Sequence, residues 1–430
     1  MTSNDDSITQ ERQKYITNGL SGLINIGNTC FMNAALQCLI GTDIMTAYFQ
    51  TSSYKDDLLK SIITQLVKKL KDKNIKISNS QIKTKFKSSL TYNFRNLILV
   101  LWATNCKVKP KTLKNIIGDI DQTFRGYAQQ DSHEFLWRFI DIIHEETKHQ
   151  DSDYKITCPS DAVMKFSIIE KQYYTLSEEE QLVFKDEYFK YKFKHIQEYI
   201  YASYYLYFKK FIDNNHSAII DIFTGVYMSN IICSSCNNIS VNFVAENILS
   251  LGLDDATSLE KCLDNYFNEI TLQNDTAYDC RALCCKKTIG KSFWNIWHFP
   301  ARLIITLKRF TNGLHRNNKI INFPLNNLNM SKYCNSSNKS EQIYDLYAVV
   351  SQSGSLHGGH YVAYVKNMVN NEWYKFDDSN VLHIDKTKIT ELLHTENSYI
   401  LFYKNTKYSI NTISNKFESK DVDVDSEVEL

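Results

Sequence analysis

No long apolar run and no excess charge mark this sequence. Its 430 residues carry 49 Lys and Arg against 48 Asp and Glu, a formal net charge of +1, which argues against a nucleic-acid binder with its basic face. The stretch NLILVLW (96–102) falls far short of the roughly 20 apolar residues that cross a bilayer, so no membrane association is expected. The opening MTSNDDSITQERQKY has acidic residues and no apolar core, and no secretory signal is expected. No internal repeat is apparent. The 11 cysteines are odd in number and unevenly placed; without a secretory signal they read as reduced thiols and metal ligands rather than disulfides. These absences point to a cytoplasmic or nuclear protein. A composition of 43% hydrophobic and 23% charged residues is that of a globular chain able to bury a large core.

Residues 1–18 and 407–430 read as polar tails, the second an acidic alternation ending SKDVDVDSEVEL. Between 31 and 149 the pattern is mainly helical. In LLKSIITQLVKKL (58–70), Leu59, Ile62, Ile63, Leu66 and Leu70 recur at helical spacing. DSHEFLWRFIDIIHEE opens with Asp131 as an N-cap and Glu134 three residues on, a capping-box arrangement. From about Phe223 the pattern shortens to strands, among them ARLIITLKRF, DLYAVVSQS, GHYVAYVK, EWYKFDD and SYILFYK. Helices first and strands later predict an α+β fold whose halves meet across a cleft. The intervening segment 151–216 holds the aromatic run EYFKYKFKHIQEYIYASYYLYFKKF, predicted as one long helix packed against the body.

Cys30 follows a Gly/Asn-rich turn and opens an apolar helix in GLINIGNTCFMNAALQCL (22–39). A helix N-terminus favours a thiolate, and Asn25 stands where an amide donor can reach a developing oxyanion. Cys38 lacks this setting and reads as core. Taken alone, buried cysteines are common and the stretch decides nothing. A cysteine nucleophile needs a base, and the base an orienting group. Far downstream, His360 follows two glycines and opens a strand, and FDDSN offers Asp377 and Asp378 at the end of the next. That is a papain-type order of residues.

These stretches resemble the sequence boxes of the ubiquitin-specific proteases. The Cys box is GLINIGNTCFMNAALQCL; GYAQQDSHEFL (126–136) is similar to the family's Gln-Gln-Asp box; LIITLKRF (303–310), GGHYVAYV (358–365) and WYKFDDSNV (373–381) follow in the family's order. The resemblance spans 19–406. It implies a papain-like fold with a helical thumb, a β-rich palm and zinc-ribbon fingers over about 225–300, with 151–216 as an atypical insertion. Carried over by position, it implies Cys30 as nucleophile, His360 as general base, Asp377 as third member, Asn25 as oxyanion donor and Asp378 as an assisting acid.

CSSC (Cys233, Cys236) and the later CRALCC (Cys280, Cys284, Cys285) form two clusters separated by a strand-rich segment, the ligand pattern of a structural zinc site. The second pair departs from Cys-x-x-Cys, and Cys284 is preferred over Cys285; a degenerate ribbon with packed thiols is the alternative. Cys106, Cys158, Cys262 and Cys334 have no partners by spacing and are expected to be inert. No catalytic cofactor is expected.

The implied substrate is ubiquitin joined through its C-terminal glycine, cleaved through a thioester, with ubiquitinated proteins as partners and the enzyme acting as a monomer. Gln130, Asp131, Gln352, Gly358 and Gly359 are expected to line the cleft for the extended tail, Asp131 facing its arginine or merely capping its helix. The family usually has His at the position of Gln352, which puts tail affinity in doubt rather than the chemistry. His357 is expected to line the loop rather than to bind metal. The competing readings are a catalytically silent ubiquitin-binding scaffold, against which the complete set of residues speaks, and a protease for another ubiquitin-like modifier.

Overall fold

The computed structural model describes residues 18–70, 77–149, 158–213, 215–284, 286–311, 315–335, 341–355 and 358–408. Nearly all of both polar tails, Cys285 and His357 therefore lie outside the described residues.

The Cys30–Ile40 helix runs through the middle of the molecule, and all 11 of its residues are buried. One side packs against the Ser132–Thr147 helix, where Phe31 meets Phe135 edge to face at 5.7 Å. Helices Ser53–Leu70 and Leu90–Ala103 complete this helical half. The other side lies on an eight-stranded sheet. Its strands run in the order Asn380–Ile384, Trp373–Asp377, His360–Lys366, Ile343–Ser353, Ser398–Asn405, Arg302–Leu307 and Ile248–Leu251, with Leu328–Asn329 paired to Ile343–Ser353.

The period of two sorts the sheet's side chains onto two faces. In the Ser398–Asn405 strand, Ile400 and Phe402 join the core shared with the helical half. Leu401 and Tyr403 point to a second core beneath the Leu259–Phe267 helix. A buried ion pair ties the layers: Arg302, 1% exposed, places Nη2 2.6 Å from Asp43 Oδ1.

A separate four-stranded sheet, ordered Ile239–Glu246, Gly225–Cys233, Gly290–His298, Ile270–Leu272, extends away from the main sheet and carries the cysteine clusters at its end. The aromatic run is packed, as expected, but as two helices rather than one. Glu178–Lys194 and Ile196–Ile212 are separated by His195, whose φ of −121° and ψ of 44° leave the helical region. Phe166, Tyr199, Ala202 and Phe208 bury against Val226, Met228 and Phe243 of the four-stranded sheet. Among the described residues no helix is long and apolar enough to cross a membrane.

Candidate active site

The turn before the Cys30 helix is built around one side chain. Asn25 Oδ1 accepts the N–H groups of Gly27 at 3.0 Å and Thr29 at 3.1 Å, and the Thr29 hydroxyl at 3.3 Å. Gly27 at φ +112° and Asn28 at φ 51° make the left-handed bend that this requires. Thr29 supplies no side-chain cap to the helix. With its oxygen held by the turn, the Asn25 amide nitrogen faces Asp378 and donates to Oδ2 at 3.0 Å. Asp378 stands at φ 51°. Its Oδ1 accepts Asn33 Nδ2 at 2.8 Å, and its backbone carbonyl accepts the Leu23 N–H at 2.9 Å. Gly22 allows this approach: a Cβ there would lie 2.3 Å from the Ser379 carbonyl oxygen.

His360 begins its strand beside this turn. Its Nε2 lies 2.7 Å from Asp377 Oδ1, and Cys30 is the neighbour that most raises the pKa of the ring. Asp377 Oδ2 accepts Lys375 Nζ at 3.0 Å. The two adjacent aspartates therefore have different partners: Asp377 holds the imidazole, and Asp378 holds two asparagines. The His360 pKa is pushed up to about 9, first by the Cys30 hydrogen bond and also by Asp377, against partial burial. For Asp377, burial raises the pKa, but the hydrogen bonds from His360 and Lys375 outweigh it and hold the group below the ordinary carboxylate range.

Cys30 itself is 4% exposed. Gln129 crosses from the helical half, placing Nε2 3.9 Å from Cys30 Sγ and 2.5 Å from the Gly359 carbonyl oxygen. Gln129 was missed by the sequence reading, although it lies inside a quoted box beside Gln130, which is half-buried. Asn33 and Lys375 were missed too. A polar side chain one turn into a wholly buried helix was the available signal for Asn33.

Asp131 and Gln352 both make internal bonds, Asp131 as the helix cap that the sequence also predicts. Asp131 is 9% exposed: Oδ1 accepts the N–H groups of His133 and Glu134, at 2.6 and 3.1 Å, and Oδ2 accepts the Tyr399 hydroxyl at 2.8 Å. Only the forward half of the capping box forms. Gln352 is fully buried, which corrects the expectation that its side chain lines the cleft. Its Oε1 accepts Arg316 Nε at 2.9 Å, and its Nε2 donates to the Ser353 and Ser355 carbonyls at 3.1 and 2.9 Å. Gly359 is packed against the same loop, where a Cβ would lie 2.2 Å from the Ser353 oxygen. At Gly358 a Cβ would press only on Ser355 Oγ, the movable end of a side chain, at 3.3 Å.

At the far end of the four-stranded sheet the sulfurs of Cys233, Cys236, Cys280 and Cys284 lie within 4.8 Å of one another. Cys233 and Cys284 are 3.6 Å apart, and Cys236 and Cys280 are 3.7 Å apart. Four sulfurs at about 2.3 Å from a tetrahedral zinc stand about 3.8 Å apart, so the set fits zinc. Of the remaining cysteines, Cys38, Cys106 and Cys262 are buried, and Cys158 and Cys334 are half-buried.

A cysteine at a helix start, beside a histidine that a carboxylate from the next strand holds, is the layout of a thiol hydrolase. Residues 21–403 match the ubiquitin carboxyl-terminal hydrolase family, and the chain belongs to that family of cysteine-type deubiquitinases. It is 28% identical to a probable ubiquitin carboxyl-terminal hydrolase, R319, of Acanthamoeba polyphaga mimivirus, over 90% of each chain. It is 30% identical to human ubiquitin carboxyl-terminal hydrolase 2, over 90% of this chain and 55% of the relative, so it spans about half the length of that protein. Its fold is similar to a chain of the SAGA DUB module Ubp8/Sgf11/Sus1/Sgf73 bound to ubiquitin aldehyde, with a TM-score of 0.60 at 24% identity over 93% of this chain and 72% of that one.

Proposed function

We propose that this chain is a thiol-dependent deubiquitinase that hydrolyses the bond after the C-terminal glycine of ubiquitin. The observation that carries the reading is the placement of His360 between the Cys30 thiol and Asp377 Oδ1, at 2.7 Å from the latter. Because Nε2 serves Asp377, Nδ1 is left for the thiol, and the imidazole is held in one orientation.

The steps follow from these positions. The Cys30 thiolate, paired with protonated His360, attacks the isopeptide carbonyl carbon. The oxyanion is met by the Asn25 amide and the backbone N–H of Cys30; an amide nitrogen carries two N–H groups, and Asp378 takes one. Collapse of the intermediate expels the lysine amine, which takes the proton from His360 and leaves a thioester on Cys30. His360 then removes a proton from water as it attacks the thioester, returning the thiol and a free carboxylate.

Gly358, Gly359 and Gln130 are assigned to the passage for a tail of small residues, and Asp131 and Gln352 to the support behind it. For the tail to reach Cys30, Gln129 must leave the Gly359 carbonyl. The four cysteines would hold a zinc ion with no open position for water, so the metal's contribution is to bind the strands together.

The test is labelling of wild type and Cys30→Ala by ubiquitin bearing a C-terminal thiol-reactive group, with a SUMO-type probe alongside. Ubiquitin labelling that disappears in Cys30→Ala is expected. Folded wild type that reacts with neither probe would sink the proposal in favour of a silent binding scaffold, and reaction with the second probe alone would move it to another modifier.

A further inference from the structure

The helices between 161 and 212 close over the four-cysteine end of the sheet. Tyr173 and Tyr188 stack with ring centroids 4.1 Å apart and planes 5° from parallel. With Phe189 they form one buried cluster with Cys233, Cys280 and Ala282. The same Glu178–Lys194 helix sends Lys192 inward, where it is only 4% exposed. Its ammonium donates to Asn238 Oδ1 at 3.2 Å and sits 3.8 Å from the centre of the Tyr199 ring. Asn238 belongs to the cysteine knuckle itself, since its carbonyl accepts the Cys233 N–H at 3.0 Å. The charged or ionisable groups that act on the ammonium are Glu170, Cys280 and Cys236.

An ammonium removed from water needs negative charge nearby. Glu170 supplies some, but it also accepts the Tyr188 hydroxyl at 3.5 Å. Four thiolates around a divalent zinc leave two net negative charges, and here Cys233 and Cys280 are buried under aromatic side chains while Cys236 and Cys284 are half-buried. We propose that Lys192 is the built-in countercation of the four-cysteine zinc site, and that the helical insertion is that site's outer shell. The inference rests on the reading that these cysteines hold zinc.

The alternative is that Lys192 only fills space with its long stem. The two differ in sign. A countercation favours the metal-loaded state, with its thiolate charge, and is a burden when the sulfurs are protonated and metal-free. A space-filling residue supports both states alike.

Lys192→Met keeps the length of the side chain and removes its charge, and the full-length protein is the sample. Bound zinc in wild type is measured first, then its retention against a chromogenic chelator, then melting before and after complete zinc removal. Phe189→Leu serves as a packing lesion and lowers both melting temperatures together. Lys192→Met is expected to hold zinc about tenfold less tightly, while its metal-free melting temperature stays level or rises. Unchanged zinc retention would overturn the proposal. Equal losses of melting temperature in both states, or failure of Lys192→Met to fold without metal, would assign Lys192 to packing and overturn it equally. Wild type that takes up no zinc would instead remove the zinc reading itself, and the countercation with it.

Discussion

Asp378 holds Asn25 in place, accepting its amide nitrogen on Oδ2 at 3.0 Å while Oδ1 receives Asn33 at 2.8 Å. In the proposed mechanism the carboxylate acts through Asn25. Asn25→Ala removes the proposed oxyanion donor together with the oxygen around which the turn is built, and should lower kcat about 100-fold or more. Asp378→Asn keeps a residue that tolerates the left-handed φ of 51° but offers one oxygen to two donors, and a loss of about tenfold in kcat is expected. The double variant should be no worse than Asn25→Ala alone, because both changes disable one group. Steady-state kinetics on a fluorogenic ubiquitin C-terminal amide decide it, and additive losses would give Asp378 an independent role.

The raised pKa of His360, about 9, fixes the direction of the alkaline limb. A histidine whose folded pKa lies above its unfolded value favours the folded state fully below the unfolded value, and that contribution disappears as pH rises through the folded one. The imidazolium therefore persists through neutral pH and is lost near 9, and kcat/KM should fall there. The Cys30 hydrogen bond is the largest cause, so Cys30→Ala should bring the imidazole pKa down toward the ordinary 6.5 in an NMR titration. Asp377→Asn should move the alkaline limb to lower pH. An imidazole that titrates identically in Cys30→Ala would contradict the pairing.

The neighbouring glycines of the cleft loop should answer differently to one methyl group. At Gly359 a Cβ would meet the Ser353 oxygen at 2.2 Å, Gln352 Nε2 at 2.4 Å and the Ser355 oxygen at 2.6 Å. Backbone cannot yield easily here, because Gln352 is itself fully buried and bonded to the same two carbonyls. Gly359→Ala should cost about 1–3 kcal/mol in chemical unfolding and displace His360. Gly358→Ala meets only Ser355 Oγ at 3.3 Å, so stability should hold within about 0.5 kcal/mol while KM rises, the methyl group narrowing the tail passage. Equal stability of the two variants would refute the loop packing.

What could be read in the sequence follows from how each residue acts. Cys30, His360 and Asp377 sit in long motifs whose turn and strand context is local, and the strands from 302 onward alternate with period two on a half-buried surface, so both were legible. Gln129, Gln352 and Asp131 act through partners far along the chain, namely Gly359, Arg316 and Tyr399. No local pattern tells a glutamine that lines a cleft from one buried behind it. The break at His195 was hidden for a similar reason: the aromatic run continues unbroken across it, and only packing on the four-stranded sheet distinguishes two helices from one.

The same distinction between local spacing and spatial grouping applies to the clustered cysteines. Cys284 lies in the four-sulfur cluster, 3.6 Å from Cys233 Sγ, although its spacing from Cys280 departs from the usual pair. Cys284→Ser should therefore abolish stoichiometric zinc and, because a closed structural site contributes directly to folding, lower the melting temperature of the full chain. Cys285→Ser should keep one zinc per chain and melt like wild type. Bound metal measured by atomic emission on purified variants separates the two, and zinc loss in Cys285→Ser with retention in Cys284→Ser would reverse the assignment.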